Sequence, residues 1–166
     1  MILGMSTSTF TAVHVVLSLI GIVAGIVVLA GMLRARRPAG WTALFLATTV
    51  LTSVTGFFFP VDHLLPSHIV GIISLVVLAI ALLALYGYRL AGSWRWLYVG
   101  SAVLALYLNV FVGVVQAFEK LPVLSRLAPT QSEPPFLVAQ VVVLAIFAVL
   151  GIRAGIRFRP MATRPA

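Results

Sequence analysis

Five apolar runs, at about 12–33, 41–59, 68–88, 96–118 and 136–152, take up most of this chain and leave it few ways to fold. A helix needs about 20 mostly apolar residues to cross a hydrocarbon core of about 30 Å. Inside lipid no water satisfies backbone N–H and C=O groups, so a spanning segment must pair them internally, as a helix does. The runs therefore predict an all-α membrane protein: a five-transmembrane-helix bundle with short loops, one transmembrane helical domain over residues 1–166. The fifth run is the shortest, and the long side chain of Arg157 can reach back to the interface from its end.

What separates the runs orients them. Arg34, Arg36 and Arg37 follow the first; Arg89 and Arg95 lie between the third and fourth; Arg153, Arg157, Arg159 and Arg164 follow the fifth. The other side holds Lys120 and Arg126 with all three acids, Asp62, Glu119 and Glu133. Short loops rich in Lys and Arg stay cytoplasmic, so the N-terminus is expected outside and the C-terminus inside. Trp41, Tyr86, Tyr88, Trp94, Trp96 and Tyr98 form a belt at the same expected inner side, where amphipathic rings favour the headgroup region. Short, Arg-rich loops suit a multi-pass protein of a bacterial inner membrane.

A formal charge of +8 and a pI near 11.4 are otherwise typical of nucleic-acid binders. Here the cations cluster at run ends on one side, where topology and anionic headgroups explain them. The expected partner is the lipid bilayer and not nucleic acid. The absence of cysteine excludes disulfides, thiolate metal sites, iron–sulfur clusters and cysteine nucleophiles. The N-terminus lacks a basic leader region and the first run is too long for a cleaved signal, so it is expected to be a retained anchor. No Gly-x-Ser-x-Gly elbow, His-Glu-x-x-His motif or phosphate-binding glycine loop is present. Nor is there a charged group near any run's centre, where a secondary transporter usually carries one.

The inner connections are tight, with Pro38, Gly40 and Gly92 as breakers, whereas the outer segment 119–135 is long and carries Pro122, Pro129, Pro134 and Pro135. Its Leu121, Val123, Leu124 and Leu127 suggest a segment lying along the outer face. Gly21-Ile-Val-Ala-Gly25 and Gly151-Ile-Arg-Ala-Gly155 allow close helix approach, within the chain or between copies. The two Arg-flanked inner hairpins also resemble one another, with His14 and His68 opening the two halves.

All three histidines and all three acids belong to one side, so any site opens outward. The first and third runs cross in the same direction, and His14 and His68 begin them at similar depth. Two imidazoles above small residues (Ser18, Gly21 and Gly25 on one run, Gly71 on the other) permit a bis-histidine haem b. Equally, His14, Asp62, His63 and His68 offer three imidazoles and a carboxylate to a divalent metal such as Zn²⁺ or Cu²⁺. Asn109, Gln116, Glu119 and Gln140 are candidate ligand-orienting groups, although amides in a membrane also serve simply to bond helices together. The specific expectation is a binding or redox module holding haem b or a divalent metal in an outward-facing His/Asp site. The alternative, from a different class, is a non-enzymatic accessory or assembly subunit that docks a membrane partner, or a second copy, through its outer face.

Overall fold

The computed structural model describes residues 1–60 and 66–159. Among these, helices α1 (Thr7–Leu33), α2 (Ala39–Gly56), α3 (Pro66–Leu82), α4 (Trp94–Lys120) and α6 (Pro134–Arg157) are joined by a short helix α5 (Pro122–Leu127) before the last. A π-helical turn, Leu83–Gly87, extends α3. With that extension the five long helices are each long and apolar enough to cross a membrane. The chain is an all-α, multi-pass bundle.

Three boundaries differ from the sequence expectation, each for a local reason. Helix α1 starts at Thr7 because the Ser6 hydroxyl accepts a 3.1 Å hydrogen bond from Thr9 N–H, a side-chain N-cap. His14 therefore lies about two turns into the helix. Helix α6 starts at Pro134, since proline at the first helical positions forfeits only N–H groups that would be orphaned anyway; the fifth span is thus 24 residues and reaches Arg157. The segment expected as outer loop 119–135 is partly helical: α4 runs through Glu119 to Lys120, and α5 follows at once.

Helix α2 is the most hydroxyl-rich span, and it handles that polarity internally. Thr42, Thr48, Ser53 and Thr55 each donate to the carbonyl four residues back, at 2.7–3.0 Å. Such back-bonds let hydroxyls enter an apolar phase without a helix partner.

Packing places α1, α2, α3 and α4 around a ring, each touching the next and α4 closing against α1; α6 lies outside the ring against α4 and α1. The first and third helices occupy opposite corners. Much of α6 faces outward, with Val138, Val141, Leu144, Val149 and Ile152 exposed, as expected for a helix turned to lipid, where apolar exposure carries no penalty.

Ring packing is uneven along the membrane normal. The main core, built from residues such as Ala24, Val28, Met32, Phe45, Leu78, Ala81, Tyr98, Ala102 and Leu106, fills the end where the arginines lie. Gly25 permits the closest approach there: a methyl group in its place would come within 2.5 Å of Leu106 Cδ1 and 2.9 Å of Phe45 Cε2. Gly155 does the same for α6, against the Trp96 ring at 2.6 Å. Both small-residue motifs are therefore occupied by contacts within the chain. Arg95 fastens the same corner, its Nη1 donating to the carbonyls of Gly155 (3.1 Å) and Phe158 while its guanidinium lies 4.5 Å from the Trp96 ring centre. At the opposite end, where His14 and His68 lie, buried polar residues such as Ser74, Asn109 and Gln140 are mixed among apolar ones.

Candidate functional site

Between the four ring helices, at the histidine end, lies a cavity of about 110 Å³. Every ring helix contributes: His14 and Ser18 from α1, Thr49, Thr52 and Ser53 from α2, Ser67, His68 and Ser74 from α3, and Asn109 from α4. A water needs at least about 10–15 Å³ on this scale, so the space has room for more than one water or a small hydrated ligand. It is well below the about 300–1,000 Å³ of pockets that enclose organic ligands.

His14 is held from two sides. Its Nδ1 lies 2.8 Å from Thr55 Oγ1, and its ring meets Phe59 edge-on with centroids 5.3 Å apart. Phe59 is in turn braced by Phe10 at 5.2 Å. His68 is buried, and its ring lies 5.6 Å from that of Phe57. Phe57 also packs onto Gly71, where an added methyl would meet its ring at 3.1 Å. The room that Gly71 leaves beneath His68 is thus filled by a phenyl ring.

Asn109 and Ser18 clamp α4 to α1. The Ser18 hydroxyl donates to Asn109 Oδ1 at 2.9 Å, and Asn109 Nδ2 donates to the Ser18 carbonyl at 3.4 Å. Gly21, one turn on, lets the amide sit close: a methyl there would come within 3.1 Å of Asn109 Nδ2 and of Thr49 Oγ1. The Thr49 and Thr52 hydroxyl oxygens are buried at the cavity, yet neither has a hydrogen-bond partner among the described residues. Leaving such a group unsatisfied costs about 1–3 kcal/mol, so the two hydroxyls beside this cavity offer hydrogen-bonding capacity that water or a polar guest can meet.

The remaining sequence candidates scatter. Gln116 donates to Glu119 at 3.0 Å, one turn along α4, and neither lines the cavity. Gln140 is buried between α6 and α4, its Nε2 donating to the Phe111 carbonyl at 3.3 Å, as an amide that bonds helices would. Asp62 and His63 lie outside the described residues. Sequence reasoning missed Thr49, Thr52 and Thr55, because a threonine in an apolar run reads as an ordinary back-bonding residue until its neighbours are known.

A second ordered feature lies at the same end. The Glu133 carboxylate accepts from Thr130 N–H (3.1 Å), the Thr130 hydroxyl (2.9 Å) and Ser132 N–H (3.1 Å). Gln131, at φ 58°, reaches back to the Val115 carbonyl at 3.2 Å. Phe118, Ala128 and Phe136 form a small apolar core beneath this turn.

Searches for a matching family model, curated protein or solved structure find none.

Proposed function

We propose that this chain is an inner-membrane binding protein that holds a divalent transition-metal ion at the outward-facing, histidine-lined cavity. The observation that carries the reading is the convergence of His14 and His68, from opposite corners of the ring, on one small cavity beside two buried hydroxyls with no partner among the described residues. Polar groups inside a membrane are costly and are retained chiefly where they serve a function. Neutral imidazole is a ligand of choice for Zn²⁺ and Cu²⁺. The cavity volume, and the Phe57 ring over Gly71, favour an ion over haem b. Asp62 and His63 precede His68 closely in sequence and are proposed to complete the ligand set, the carboxylate offsetting the ion's charge. Asn109 would hold α1 and α4 at the spacing the site needs.

The arginine distribution supports an N-outside orientation, which opens the site away from the cytoplasm. The test is a titration of chelator-stripped protein in detergent with Zn²⁺ or Cu²⁺. Saturation at one ion per chain is expected, with His14→Ala and His68→Ala each weakening binding at least 10-fold, the usual scale for perturbing a metal's ligands and their supports. Undiminished affinity in both variants would overturn the reading.

The alternative of an accessory subunit has its own support in the ordered turn around Glu133 and in the exposed Leu121, Val123 and Leu127 beside it. Under that reading, substitutions in 121–133 abolish capture of a membrane-protein partner while His14→Ala and His68→Ala leave it intact.

A further inference from the structure

We infer that Thr55 is a positioning residue that fixes His14 as its Nδ1–H tautomer and thereby makes Nε2 the ligand nitrogen of the cavity. The inference rests on the metal-binding reading for its purpose, but the tautomer follows from hydrogen-bond bookkeeping alone. A neutral imidazole carries one N–H and one bare nitrogen, and which is which is set by the partner it meets. The partner of Nδ1 is the Thr55 hydroxyl, at 2.8 Å.

That hydroxyl has a single proton, with three acceptor-capable atoms around it. Thr55 Oγ1 lies 2.7 Å from the Leu51 carbonyl oxygen and 3.2 Å from that of Thr52. Neither carbonyl can supply a proton. If the hydroxyl donated to His14, two oxygens would face one another at 2.7 Å with no hydrogen between them. The proton must therefore go to the Leu51 carbonyl, and Thr55 Oγ1 must accept from His14 Nδ1–H. Nε2 is then the bare nitrogen, with a lone pair that can take a ligand.

This is how protein metal sites commonly prepare an imidazole: the ring nitrogen that does not bind donates to an oxygen, which fixes both tautomer and ring orientation. Phe59 limits the ring from another side. Thr55 stands next to the last residue of α2, so the same back-bond that satisfies the helix also orients the acceptor.

The decisive experiment is ¹⁵N NMR on metal-free, histidine-labelled protein, in which only three imidazoles appear and His14→Gln assigns the signal. His14 is expected as Nδ1–H with bare Nε2 in the wild type and in Thr55→Ser, which keeps the hydroxyl, and to lose that preference in Thr55→Val. A wild-type His14 with bare Nδ1, or the same tautomer in Thr55→Val, would overturn the inference. Metal titration of the same samples separates it from the reading it serves. Affinity is expected to fall about 10–100-fold in Thr55→Val and to recover in Thr55→Ser. If the wild type binds no metal while the tautomer pattern holds, the metal-binding reading fails and the positioning role stands.

Discussion

At the scale of single residues, the polar groups of the histidine end divide by what satisfies them. Ser18 and Asn109 satisfy one another across α1 and α4, whereas Thr49 and Thr52 leave hydroxyls at the cavity wall with no partner among the described residues. Interhelical hydrogen bonds in membranes average about 0.6 kcal/mol and reach about 1.7. Ser18→Ala is therefore expected to lower unfolding stability within that range, and Asn109→Ala to lower it further because it removes both bonds; reversible unfolding in mixed detergent micelles measures both. Equal losses would mean that the Nδ2 contact contributes nothing. Glu133 is decided by competition: desolvation works against its charge, but donors from Thr130 and Ser132 prevail and hold its carboxyl below the usual carboxylate range. A group whose folded pKa is depressed contributes order above its unfolded pKa and loses it as pH falls through the folded value. Amide exchange protection of Thr130 and Ser132 should thus persist at neutral pH and collapse on acidification, and be lost at every pH in Glu133→Ala.

Elements were legible in the sequence to the extent that their causes were local. Five apolar runs became five spanning helices, because length and hydropathy in lipid determine that outcome directly. Helix ends were legible less well, since Ser6 and Pro134 act through capping geometry that lies beyond the apolar pattern. The convergence of His14 and His68 on one cavity was open at the sequence level, because it depends on helix order around the ring, which charge asymmetry does not encode. Gln116, Glu119 and Gln140 look alike in sequence to Asn109, yet only Asn109 reaches the cavity, through rotations of each helix that depend on packing. Glycine roles separate the same way. Gly25→Ala pushes a methyl into Leu106 and Phe45 and is expected to cost about 1–3 kcal/mol as overpacking. Gly100→Ala, with nothing within 4 Å, is expected to be neutral or to gain up to about 1 kcal/mol from helix propensity. Thermal unfolding of the two variants side by side checks the contrast.

For the whole molecule, the division of labour runs along the membrane normal: one end packs an apolar core beneath its arginines, and the other opens a cavity lined in part by histidines and hydroxyls. With no native cysteine, single-cysteine reporters can be read without background. A membrane-impermeant maleimide is expected to label Ser132→Cys in intact cells and Arg36→Cys only after permeabilisation; the reverse would invert the proposed orientation and place the site on the cytoplasmic side. The proposal that the cavity is a metal site is tested most directly by elemental analysis and an absorption spectrum on one sample of wild-type protein, purified in mild detergent from metal-replete cells. About one transition-metal ion per chain with no Soret band is the predicted result. Metal-free, colourless, monodisperse protein would contradict metal binding and shift the weight to partner docking, and a Soret band would show that the histidine end opens far enough to take haem b.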